Sequence, residues 1–303
     1  MCNSMACDTN INCFKGNSDM KKKNRSLLPM IYCVIFLAFL LGLLLIVIKA
    51  KSKKNPSQGF PTAPPVLTVT QSPTQTPTPN PVISSLTNYM AGEILSLENM
   101  DFSKLSQYFT ASEIDDALLE RIQGKSYREN PDISVNELRY LKILHYNFNE
   151  EIQVGELIVN EKIATDCLEI FQNLFEHKYE IKSMYLIDNY WTGDSSSTDE
   201  ASMNADNSSG FCYRTIANTT KLSNHALGYA IDINPYENPY ITYKNGQPVH
   251  HQDSGELYAD RSVIREHMID HNDLCYQLFT QKGFTWGGDW KNSKDYQHFE
   301  MTH

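Results

Sequence analysis

Apolar and polar positions divide this chain into three regimes. From Leu27 to Ile48 no charged residue interrupts a run dominated by Leu, Ile, Val and Phe. As a helix that run spans roughly 33 Å, the depth of a bilayer core, so it predicts a transmembrane helix over 27–48. A cleaved leader has a shorter apolar core and a small-residue cleavage site. The Lys49-Ala50-Lys51-Ser52-Lys53-Lys54 stretch after the run fits an uncleaved anchor better. Residues 49–86 then turn rich in Pro, Thr, Ser and Gln. Such a composition cannot bury a core. It predicts a disordered stalk of which about 30 residues, at about 3.1 Å each, reach roughly 90 Å.

After residue 86 the periodicity becomes that of a folded domain. Residues 87–130 are read as a helical extension, with Ile114, Ala117, Leu118 and Ile122 at helical spacing before Gly124. Ser134 and Glu137 fit a capping box ahead of a helix through Leu138 and Leu141. A strand is predicted over 155–159. Asn160 then caps a helix across 163–177 that puts Ile163, Cys167, Ile170, Phe171 and Leu174 on one face. Residues 185–188 read as a second strand, 193–210 as a loop and 261–279 as a helix stopped at Gly283. On a strand over 230–234, Asp232 faces away from Ile231 and Ile233. A closing strand over 296–301 gives Tyr296, His298 and Glu300 a common face. These elements predict an α+β domain over 131–303, a small antiparallel sheet flanked by helices.

Charge changes the picture of where the domain works. Residues 1–86 hold nine Lys or Arg and two Asp or Glu, and the remainder holds 17 and 34. A domain of net charge −17 is a poor partner for nucleic acid and for an anionic membrane surface. Five basic residues precede the apolar run and four come after it, so the positive-inside rule does not fix its orientation. The stalk suits a domain held off the outer face. We therefore read 1–26 as a cytoplasmic tail and the C-terminal domain as extracellular on a single-pass membrane protein. Cys167, Cys212 and Cys275 are odd in number and widely spaced, which predicts no disulfide framework.

The candidate chemistry lies in two short stretches. His225 and Asp232 occupy Ser223-Asn224-His225-Ala226-Leu227-Gly228-Tyr229-Ala230-Ile231-Asp232, and His298 closes Asp295-Tyr296-Gln297-His298. Two imidazoles and a carboxylate form a three-ligand zinc set with one position open for water. Asp295, three residues before the last ligand, is placed to serve as the base for that water. Alone, a His-x6-Asp pair is weak, because surface or capping roles explain most such pairs. Five other histidines are expected at the surface. His250 and His251 lie in a polar loop. His267 and His271 are four apart on the predicted helix without the Glu that a zinc-helix motif needs, and His303 is terminal.

The wording around these residues resembles the peptidoglycan zinc peptidases of family M15. The first stretch is similar to their Ser-x-His-x-x-Gly-x-Ala-x-Asp signature. Asn238-Pro239-Tyr240, Gly283-Phe284-Thr285-Trp286-Gly287-Gly288-Asp289-Trp290 and Asp295-Tyr296-Gln297-His298-Phe299-Glu300 continue the likeness in the same order, over roughly residues 130–303. The resemblance implies Zn2+ held by His225, Asp232 and His298, with Asp295 activating water and protonating the leaving amine. It also implies that Arg214 stabilises the oxyanion; a salt bridge in an acidic domain is the plainer role for that arginine. Ser223 either touches substrate or caps a turn. The implied substrates are peptidoglycan stem peptides. The implied activity is either a VanY-type D-alanyl-D-alanine carboxypeptidase or an L-alanyl-D-glutamate endopeptidase of the endolysin type. The carboxypeptidase branch usually carries Glu where this chain has Asp295. A catalytically silent wall-binding module is the non-enzyme alternative.

Overall fold

The structure is a computed structural model that describes residues 82–217, 219–252 and 255–303. The predicted tail, transmembrane helix and most of the stalk lie outside the described residues. Within the described residues no helix is long and apolar enough to cross a membrane.

The chain first builds a four-stranded antiparallel sheet. Its strands are β1 (Ile94–Leu95), β2 (Thr110–Ser112), β3 (Leu138–Tyr146) and β4 (Ile152–Asn160), in the order β1-β4-β3-β2. Helix α1 (Asp116–Ile122) lies between β2 and β3 in sequence, capped by Asp115. Residues 87–130, expected as a helical extension, thus hold one α-helix and both edge strands of this sheet. Ile83 and Leu86 are already buried in its core, and Tyr108 Oη donates to the Ile83 carbonyl at 2.7 Å. The capping box at Ser134 and Glu137 forms as predicted but closes a single 3-10 turn. The chain leaves that turn directly into β3 rather than a helix, because all nine residues of β3 pair in register with β4.

Helix α2 (Glu161–Glu176) is capped by Asn160, and its predicted apolar face is buried against the sheet. Each of those side chains contributes about 1.5–3 kcal/mol by leaving water. Three expectations fail beyond it. Residues 185–188 make no strand: Asn207 holds both the N–H and the carbonyl of Tyr185, doing with a side chain what a neighbouring strand would do. The Ser-rich stretch expected as a loop contains helix α3 (Ser195–Asn204), whose N-terminus Asp194 caps at Ser196 and Ser197. Residues 261–273 are not helical, since Asn238 and Arg261 take up the backbone groups of His267 and Ile269.

Two further three-stranded antiparallel sheets complete the domain. One is β7-β6-β9, from β6 (Tyr240–Lys244), β7 (Gln247–His250) and β9 (Ser293–Asp295). The other is β5-β10-β8, from β5 (Ala230–Asp232), β8 (Thr285–Trp286) and β10 (His298–Glu300). Helices α4 (Gly255–Ala259) and α5 (Leu274–Gln281) lie between β7 and β8 in sequence. The fold class is α+β as predicted, built on three small antiparallel sheets. Ile231 and Phe299 turn inward from the β5–β10 pair, and Phe299 stacks on Phe279 with ring centroids 4.4 Å apart. Cys167, Cys212 and Cys275 are buried and free.

Candidate metal centre

Strand register brings two of the three predicted ligands together. His298 pairs with Asp232, and Phe299 with Ile231, across the antiparallel β5–β10 ladder. Side chains alternate across a strand, so burying Ile231 and Phe299 sends Asp232 and His298 to the opposite face, directly opposed. The third ligand comes from a 3-10 turn, Asn224–Leu227. Ser223 Oγ accepts from the His225 N–H at 3.3 Å and so caps that turn. Gly228 ends it at φ 73°, where a Cβ would lie 2.5 Å from the backbone nitrogen of Asn160. That close approach lets the Gly228 carbonyl accept from the Asn160 N–H at 2.8 Å, fastening the His225 turn to the end of β4.

The three donor atoms converge. His225 Nε2 lies 3.1 Å from His298 Nδ1 and 3.2 Å from Asp232 Oδ2, and His298 Nδ1 lies 3.0 Å from Asp232 Oδ1. Ligands about 2.0–2.2 Å from a tetrahedral zinc stand roughly 3.3–3.5 Å apart, so the set fits such an ion with small adjustments. All three residues are buried. Their outward nitrogens are occupied by other partners: His225 Nδ1 donates to the Gly210 carbonyl at 2.7 Å, and His298 Nε2 meets Glu300 Oε2 at 3.1 Å. These bonds fix the tautomers that leave Nε2 of His225 and Nδ1 of His298 facing inward. Asn224 donates to the same Glu300 oxygen, which ties the two histidine supports together.

The electrostatics suit a cation. Burial alone would raise the Asp232 carboxyl, but His225 and then His298 outweigh it and hold it far below the usual carboxylate range. Burial likewise opposes charge on His298, yet its bonds to Asp232 and Glu300 push it up to about 10. A site that draws a proton so strongly between three ligands offers a divalent ion the same negative potential.

The centre opens on a cleft of about 980 Å³. Asp295 lines it at the end of β9, and Gly287 packs so closely beneath that a Cβ would lie 2.5 Å from the Asp295 carbonyl. Asp295 ends a strand of the β7-β6-β9 sheet, and the chain crosses to β10 after it. Burial is the main force pushing its carboxyl up to about 7, and the Asp232 charge adds to it. Arg214 also lines the cleft, with Nη2 2.6 Å from Asp199 Oδ2. The salt bridge predicted as its plainer role is therefore formed, inside the cleft. Ser223 lines the cleft as well as capping its turn.

Trp290 lies 5.2 Å from His298 and lines the cleft, whereas Trp286 is buried in the core. His251 reaches the cleft rim, stacked on Tyr240. His267 stacks on Phe148, His271 meets Asp289 at 2.8 Å and His303 stacks on Tyr229, all apart from the three ligands. Sequence reasoning missed Asp199, Gln297 and the Gly210 carbonyl. Asp199 is hidden in a stretch whose composition reads as loop, and a backbone acceptor leaves no mark in residue type.

Residues 217–301 match the family model for D-alanyl-D-alanine carboxypeptidase of the M15 peptidases. No curated protein and no solved structure gives a significant match. The matched stretch contains His225, Asp232, Asp295 and His298, while Arg214 and Asp199 lie just before it. Through residues 217–301 the chain is therefore similar to the M15 peptidases, a likeness that supports a peptidase acting on peptidoglycan.

Proposed function

We propose that this domain is a zinc-dependent D-alanyl-D-alanine carboxypeptidase acting on peptidoglycan stem peptides, held outside the cell by a membrane anchor at 27–48. The observation that carries the reading is the convergence of His225, Asp232 and His298 beside Asp295 at one cleft, within the stretch that matches the carboxypeptidase family model. A zinc ion at these ligands would supply Lewis acidity and bring the acidity of water close to neutral pH.

The chain's own residues supply the rest. Asp295, with its carboxyl pushed up to about 7, is matched to accept a proton from the attacking water and return it to the leaving amine. Arg214 offers a guanidinium to the charge that develops on the scissile carbonyl oxygen, and Asp199 sets its direction. Ser223, at the cleft wall beside His225, is a candidate substrate contact.

One observation favours the endopeptidase alternative, the shorter Asp at 295. Incubating the domain with a defined pentapeptide muropeptide separates the two. Loss of the terminal D-Ala by mass spectrometry fits the carboxypeptidase, and cleavage between L-Ala and D-Glu fits the endopeptidase. Stoichiometric zinc without cleavage of either bond would leave only a binding module.

A further inference from the structure

Gln297 stands between Asp295 and the ligand His298, and nothing in the metal chemistry calls for it. It is 1% exposed and forms part of the cleft wall. Its backbone carbonyl accepts from the Ile233 N–H at 3.0 Å, fixing its place beside β5. Its side-chain amide spends both hydrogens. Nε2 donates to Asp295 Oδ1 at 3.1 Å and meets Met203 Sδ on α3 at 3.2 Å. Its Oε1, by contrast, is buried with no hydrogen-bond partner among the described residues.

An orphaned buried carbonyl is destabilising, and native interiors keep few of them. Turning the amide over would not cure this one. Oε1 would then face the Asp295 carboxylate, oxygen against oxygen, and Asp295 would lose its donor. The side chain is thus held in a locally unfavourable arrangement whose gains are an N–H directed at Asp295 and a weak contact with Met203 Sδ. A residue serving packing alone would do better here as an apolar side chain of the same shape.

We propose that Gln297 is a positioning residue, whose amide holds the Asp295 carboxyl in the rotamer that faces the cleft. This rests on the reading of Asp295 as the proton-transfer group. Gln297→Met keeps the shape and removes the donor. It should lower kcat about tenfold, the effect of losing one hydrogen bond that orients a reacting group. KM should stay within about twofold, zinc content should be unchanged, and Tm should be equal or higher because the orphaned carbonyl has gone.

A wild-type kcat in Gln297→Met overturns the proposal. So does a joint fall of Tm and zinc content, which would make Gln297 structural. A readout independent of turnover is the side-chain amide resonance of Gln297 in 15N-labelled protein, which should move in Asp295→Ala. If it does not move, the contact is absent and the proposal fails, whatever the substrate. A wild-type domain that cleaves no stem peptide defeats the functional reading, while the amide resonance still decides the contact.

Discussion

His225 Nε2 and His298 Nδ1 point at each other across 3.1 Å, and each ring has its other nitrogen held by a separate partner. Two such nitrogens, with Asp232 completing the triangle, cannot all be satisfied by protein hydrogen bonds at once. In metal-free protein a proton must take the ion's place. The folded-state affinity of His298 for that proton is raised, to about 10 against about 6.5 in the unfolded chain. Its contribution to stability is therefore complete below about pH 6.5 and is lost as pH rises toward 10. Chelated protein should show a Tm that declines across that interval in scanning fluorimetry. Zinc should raise Tm more at pH 8 than at pH 6, because ion and proton compete for one place. A pH-independent zinc effect would refute the ligand assignment.

Asp295→Asn should abolish turnover, by about 10²–10⁴-fold, with zinc retained. Since burial has pushed this carboxyl up to about 7, kcat/KM should fall as pH drops through neutrality and the base takes up its proton. A bound cation favours the carboxylate, so the acid limb should lie at or below that value. Stopped assays on a pentapeptide muropeptide from pH 5 to 9 read both effects.

Removing Arg214 alone would leave Asp199 charged and buried, so stability and catalysis would fall together. The double variant Asp199→Asn, Arg214→Met separates them. It should fold with a Tm near that of the wild type and lose about 10²–10³-fold in kcat, with KM little changed. Recovery of wild-type kcat in the double variant would reduce the pair to a structural salt bridge.

Gly228→Ala should cost more than an ordinary surface change, of the order of 1–3 kcal/mol. The new Cβ meets the Asn160 nitrogen at 2.5 Å and the backbone sits at φ 73°. Because Gly228 fastens the His225 turn to β4, zinc affinity should weaken along with stability, as calorimetry of metal binding would record. Phe299→Ala offers the contrast. It should cost about 3–5 kcal/mol through the cavity it leaves between β10 and α5, and denaturant titration measures it.

The cluster of His225, Asp232 and His298 is legible in the sequence because metal chemistry restricts residue type, and because alternation around Ile231 fixes which way Asp232 points. The α2 helix is legible for a similar reason: its cap and apolar period agree. The failures share one cause. Where side chains, rather than neighbouring backbone, satisfy the main chain, local pattern misleads. Asn207 imitates a strand partner for Tyr185, and Asn238 and Arg261 hold 261–273 out of a helix. Helix α3 is polar on every side, so no periodicity announces it, and with it goes Asp199. The capping box at Ser134 is a true cap, but a cap says nothing about how far a helix continues.

Strand β10 lies between β5 and β8, with His298 paired to Asp232 and its neighbours Phe299 and Glu300 paired on both edges. Other parts of the cleft lining come from α3 and from residues such as Ile216 and Lys221. The cleft lining is thus drawn from strand and non-strand parts of the chain alike. Exposed lining residues such as Glu200, Ile216 and Lys221 can change without disturbing the strands that hold Asp232 and His298, whereas Asp199, Gly210 and Arg214 in the same stretch are tied to the site.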